Sequence, residues 1–233
     1  MLYVSLFIVS LVSGCLVFSN QFKEKANINT LLSFSGAYLL GICFLHLLPE
    51  LFEIAGDSVG VFLLIGFFLQ LILDFFSGGI EHGHTHINKN KMRKFPFLVF
   101  ISLGLHAFLE AFPINELSSS TASNSYLIGL LLHKIPIALV LGSLLISYEL
   151  KKRTVFIGLV VFSLLGPFGV LIGSEFESST LIFQQFLAIS IGIILHLSTT
   201  ILLETNENHR INYQKILPLL VGFGFALLSL VFH

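Results

Sequence analysis

Charge is what this sequence has least of. Only 11% of its 233 residues are Asp, Glu, Lys or Arg, against 55% hydrophobic residues and a mean hydropathy of +0.93. A water-soluble domain carries about a quarter charged residues, so an ordinary soluble fold is excluded. The formal net charge of −1 offers no basic surface to a nucleic acid. The two cysteines, Cys15 and Cys43, both lie in apolar runs; they cannot build a disulfide framework and need only be packing residues. No Lys or Arg precedes Lys23, so the first apolar stretch lacks the positive flank of a secretory signal. It also contains a lipoprotein-like phrase, Val12-Ser13-Gly14-Cys15, but continues apolar to Phe18, and residues 2–19 read as a retained helix. Tryptophan is missing altogether, while 25 Phe and 19 Gly suit membrane helices with close backbone contact.

A membrane span needs about 20 mainly apolar residues. Eight stretches qualify: 2–19, 28–53, 58–77, 95–114, 125–148, 154–174, 181–203 and 214–232. The expected fold is an all-α polytopic membrane protein, a single transmembrane domain over residues 1–233. Basic residues set its orientation. Lys23 and Lys25, then Lys89, Lys91, Arg93 and Lys94, then Lys151, Lys152 and Arg153, then Arg210 and Lys215 fall in alternate connections. The intervening connections, Ile54 to Asp57, Asn115 to Asn124 and Glu175 to Thr180, carry none. The positive-inside rule makes the basic side cytoplasmic, which puts both termini outside. Ser118 to Ser125 reads as a Ser/Thr/Asn-rich surface loop, and 78–94 as a cytoplasmic loop with His82, His84 and His86, a plausible weak metal collector.

Against that apolar background the polar residues stand out. His106 and Glu110 are four apart in the fourth span and so share a helix face; the fifth carries His133 and Lys134. Ionisable groups inside a membrane segment are costly and mark functional sites by default. Counting from the outer ends of the two spans at 1.5 Å per residue, Glu110 lies about 6 Å deep, and His106 and His133 both about 12 Å. A short connection makes the two spans antiparallel neighbours. His46 and Glu50 lie outward of this set; Asp74, His196 and Glu204 lie inward, with the three loop histidines. Outer, middle and inner polar sets are what a transmembrane path requires.

Two imidazoles and a carboxylate suit a divalent cation and leave coordination positions open. A transport site gains from that incompleteness, because a closed cage would hold its ion too tightly. Pro136, three residues after His133, removes a backbone hydrogen bond and can kink the fifth span. Lys134 has two places to go: away from the site, snorkelling, or into it as a fixed cation that limits it to one metal ion. A different reading takes His46, His106, His133 and His196 as axial haem ligands, which leaves Glu110 without a role. An intramembrane metalloprotease would need His-Glu-x-x-His, which does not occur, so no enzymatic activity is expected.

The chain resembles the ZIP family of divalent-metal transporters. The phrases that carry the resemblance are Leu45-His46-Leu47-Leu48-Pro49-Glu50, His106-x-x-x-Glu110 and His133-Lys134-x-Pro136, in a frame of eight spans with a histidine-bearing loop after the third. The resemblance implies a ZIP-like bundle with the metal site between the fourth and fifth spans, and His106, Glu110 and His133 as principal ligands. It further implies an elevator-like movement of one helix group against another, carrying metal towards the cytoplasm. The family pattern often has Asn after the first His, a carboxylate after the second, and Glu four residues beyond. Ala107, Lys134 and Ile137 stand there instead, which favours a mononuclear site completed by water or by a residue such as His46. The expected cargo is Zn2+, with Fe2+, Mn2+ and Cd2+ as alternatives, and no resident cofactor. The other expected partners are the lipid bilayer and a second copy in a homodimer. The expected location is a plasma or bacterial inner membrane.

Overall fold

The computed structural model describes residues 1–19, 25–54, 59–80, 93–114, 120–176, 180–204 and 213–231. Among these, all regular structure is helical. The helices are α1 (Leu2–Cys15), α2 (Lys25–Ile42), α3 (Leu48–Ile54), α4 (Val59–Ser77), α5 (Phe97–Ala111), α6 (Ser120–Ser147), α7 (Lys152–Gly173), α8 (Leu181–Glu204) and α9 (Tyr213–Leu228). Five segments are long and apolar enough to cross a membrane: Ile28–Glu53, Val59–Ser77, Ser123–Ser147, Lys152–Gly173 and Leu181–Leu202. Three shorter apolar ones are Leu2–Phe18, Phe97–Ala111 and Ile216–Leu228. The expected loop 78–94, with His82, His84 and His86, falls almost wholly outside the described residues.

Two local features depart from the expected outline. Between α2 and α3 the chain makes a π turn, Cys43–Leu47. Its cause is Pro49, whose ring would clash with the carbonyl of Leu45 in a regular helix and whose nitrogen has no hydrogen to donate; one extra residue in the turn relieves both problems. Second, Ser120 to Asn124, expected in a surface loop, are the first turns of α6. Small polar residues favour helix starts, and the Ser123 hydroxyl donates to the Ile114 carbonyl at 2.9 Å, tying the start of α6 to the end of the preceding span.

The fold is inside out relative to a soluble bundle. On α4, Val61, Leu64, Ile65, Phe68, Leu71, Ile72 and Phe75 are exposed, while Gly66, Gln70 and Ser77 are buried. α7 repeats the pattern, with Phe156, Ile157, Leu164 and Phe168 outward and Gly158, Ser163, Gly166, Gly169 and Gly173 inward. Apolar outer faces this extensive are stable only in hydrocarbon, and small residues inside let helix backbones meet.

The contacts sort the helices into two groups. α4 packs on α8, α2 on α9 and α8, α1 on α6 and α7, and α5 on α7; two seams, α2 on α6 and α4 on α5, join these two sets, and the α2–α6 seam is as extensive as several of the contacts within them. Within each group the helices touch backbone to backbone. A Cβ on Gly66 would collide with the Ile189 carbonyl, one on Gly192 with that of Leu63, and ones on Gly169 and Gly173 with those of Phe108 and Phe112. Side-chain hydrogen bonds cross between the two sets. Tyr38 of α2 donates to the Ser125 carbonyl of α6 at 3.2 Å, and Ser190 of α8 to the Leu109 carbonyl of α5 at 2.6 Å.

Candidate metal centre

On α5 the buried residues Leu103, His106, Ala107, Glu110 and Ala111 recur at three- and four-residue spacing, the signature of one helix face. That face looks into the bundle, while Leu98, Ile101 and Leu105 look out. α6 meets it with His133 and Lys134. His106, Glu110 and His133 are fully buried, and one ligand atom from each lies within 4.8 Å of the others. His106 Nε2 is 3.2 Å from Glu110 Oε2. The two imidazole rings meet nearly edge to face, with centroids 5.9 Å apart. Apart from that mutual contact, neither His106 Nε2 nor Glu110 Oε2 has a hydrogen-bond partner among the described residues. Buried polar atoms are nearly always hydrogen-bonded, so atoms left this way and aimed at one point suit a cation.

Lys134 points inward. Its ammonium forms an ion pair with Glu110 Oε1, donates to the Ala107 carbonyl at 3.3 Å and lies 6.0 Å from the centroid of the Phe162 ring. Gly166 lies beside it: a Cβ there would stand 3.5 Å from Lys134 Cε, an ordinary van der Waals contact. Tyr126 braces the same helix by donating to the Glu110 backbone carbonyl.

Each imidazole is also held from behind. His106 Nδ1 is 3.0 Å from Oε1 of Gln70 on α4, and His133 Nδ1 is 3.4 Å from the Ser35 hydroxyl on α2. From Gln70 the polar chain continues: its amide nitrogen donates to Asp74 Oδ1 at 3.2 Å, and Asp74 Oδ2 faces His196 Nδ1 at 3.4 Å. Asp74 and His196 thus stand one amide away from the cluster. His46 does not join it. It sits in the π turn with Nε2 on the Ser229 hydroxyl at 2.7 Å, tying α2 to the end of α9. Glu50 is half-buried on α3, outside the cluster, and Glu204 is the last residue of α8.

Gln70, Ser35 and Tyr126 were not among the residues singled out from sequence. Gln70 had a readable signal, as a lone amide in the middle of a span four residues before Asp74. Ser35 had almost none, because buried serines are common in such helices; Ser33, Ser102, Ser163, Ser190 and Ser198 are buried too.

Residues 80–231 match the family model described as ZIP Zinc transporter. The match covers His106, Glu110, His133 and Lys134, and leaves Ser35 and Gln70 outside it. Among curated proteins, the chain is 27% identical over 149 residues to zinc transporter ZIP1 of Danio rerio, covering 60% of this chain and 49% of that protein. It is 25% identical over 168 residues to protein zntD of Dictyostelium discoideum, covering 66% and 25% respectively. The chain therefore spans about half the length of the first relative and a quarter of the second.

Proposed function

The chain belongs to the ZIP zinc transporter family, and from that premise we propose that it carries divalent metal ions across a membrane through the His106, Glu110 and His133 site. The observation that carries the reading is the convergence of three buried ligand atoms within 4.8 Å inside a bundle whose outer faces are apolar. Zinc is the first candidate cargo, with Fe2+, Mn2+ and Cd2+ next, because two imidazoles and one carboxylate accept all of them with modest preference. The site takes one ion at a time, since the Lys134 ammonium already stands beside Glu110 as a second cation.

The proposed topology has eight spans, both termini outside and the basic connections in the cytoplasm. An elevator-like movement is proposed along the α2–α6 and α4–α5 seams. α1, α5, α6 and α7 would travel with the ligands against α2, α4, α8 and α9, carrying metal from the side of His46 and Glu50 towards that of Asp74, His196 and Glu204. The membrane is a plasma or bacterial inner membrane. The haem reading gains nothing from the site, where Glu110 and Lys134 would have no part.

The test is radioactive zinc uptake into proteoliposomes, wild type against Glu110→Ala, with Fe2+, Mn2+ and Cd2+ as competitors. Glu110→Ala is expected to lose uptake while still reaching the membrane. Wild-type flux in that variant would remove the central claim.

A further inference from the structure

Gln70 lies in the middle of α4, fully buried, with its carbonyl oxygen towards His106 and its amide nitrogen towards Asp74. The direction of this chain is set at its far end. A carboxylate oxygen accepts and cannot donate, so the NH2 group of Gln70 must face Asp74 and its carbonyl must face His106. With an ion bound, His106 Nδ1 then carries the ring proton, and Nε2, the atom 3.2 Å from Glu110 Oε2, offers its lone pair to the ion.

His133 has the same arrangement, built from a hydroxyl. Ser35 donates its one hydrogen to the Leu32 carbonyl at 3.2 Å, which leaves an oxygen lone pair to accept from His133 Nδ1 at 3.4 Å. Both histidines therefore present Nε2 to the site. Groups that accept from the far nitrogen of a ligating imidazole hold its tautomer and orientation and raise its basicity.

We propose that Gln70, aligned by Asp74, is a positioning residue for metal binding, which together with Ser35 sets the tautomer of both histidines from the helix group opposite the one that carries them. The proposal rests on the transport reading above. The ligands stand on α5 and α6, and the acceptors behind them stand on α4 and α2. A displacement of one group against the other removes both acceptors at once. The histidines then grip the ion less tightly although no ligand has changed, so affinity follows position. The same residue also links the ligand cluster to the Asp74 and His196 pair.

The experiment uses the full chain purified in detergent, zinc alone as the probe, Kd by direct titration and histidine tautomers by nitrogen-15 NMR. Gln70→Met, close in size but without an acceptor, is expected to raise the zinc Kd about 10- to 100-fold and to shift His106 away from the Nδ1-protonated form. The double variant Gln70→Glu/Asp74→Asn moves the carboxylate one step along the chain while keeping an acceptor towards His106. It is expected to bind zinc no more weakly than wild type and to keep the tautomer. A folded Gln70→Met protein with wild-type Kd and tautomer overturns the inference. Should that variant not fold, the double variant decides alone: a Kd raised tenfold or more overturns the inference. Glu110→Ala separates the two readings. If wild type binds zinc, Glu110→Ala does not and Gln70→Met binds with the wild-type Kd, the site stands and the role of Gln70 falls. If Glu110→Ala binds like wild type, the site itself falls.

Discussion

In the proposed site, Lys134 and an incoming metal ion would compete for Glu110. Two neutral imidazoles, one carboxylate and one ammonium sum to no net charge in a fully buried cluster, and a divalent ion adds two positive charges beside the ammonium. A pair of unit charges about 4 Å apart is worth about 4 kcal/mol at an effective dielectric constant near 20, so the lysine competes strongly for the carboxylate. In the proposed transport cycle that competition would keep affinity low enough for release. Lys134→Gln retains a donor towards Glu110 and Ala107 but drops the charge. We expect its zinc Kd to fall about tenfold or more, equivalent to at least about 1.4 kcal/mol, while turnover slows at release. An unchanged Kd in titration would show that the ammonium leaves the site before metal arrives. At this scale the meeting of His106, Glu110 and His133 was legible, because depth along two adjacent spans can be counted from their ends. The direction of Lys134 was not. It is set by partners that folding brings to it from α5, Glu110 and the Ala107 carbonyl, and the sequence alone allowed either rotation.

Among the elements, α5 is held to α7 by backbone contact at two glycines. A methyl group at Gly173 would meet the Phe112 carbonyl, directly beyond the end of α5, and one at Gly60 would meet nothing within 4 Å. Overpacking of a close contact costs about 1–3 kcal/mol. Gly173→Ala is therefore expected to lower the thermal unfolding temperature of the purified protein and to reduce uptake by displacing Glu110, whereas Gly60→Ala should change neither. Equal unfolding temperatures for the two variants would mean that α5 and α7 can separate at no cost. The helices as elements were readable from apolar run length, since hydrocarbon obliges the backbone to bond within itself. Their ends were less so. Ser120 to Asn124 looked like a loop because composition cannot show that α6 begins outside the apolar zone and is anchored there by Ser123. The π turn was likewise hidden, although Pro49 was a sign of it.

For the molecule as a whole, the alternation of basic connections makes a prediction that needs no knowledge of the site. In a background of Cys15→Ser and Cys43→Ala, single cysteines at Lys94→Cys and Lys152→Cys should resist a membrane-impermeant thiol reagent on intact cells. Glu175→Cys should react. Labelling of all three from outside would sink the eight-span arrangement. The division of the helices into two groups could not be read from the chain, because it resides in which glycine meets which carbonyl. Those groups also fit a membrane of uneven thickness. α5 has 15 residues, about 22 Å of helix, against about 30 Å of hydrocarbon. Part of the difference is made up by the buried turn at Phe112 to Ile114. The exposed side chains of Phe97, Leu98 and Ile101 still face lipid that must compress to meet them, at fractions of a kcal/mol per Å. In the proposed eight-span arrangement the bilayer beside α5 is thus a loaded spring, and a stroke that carried α5 along the membrane normal would change the load.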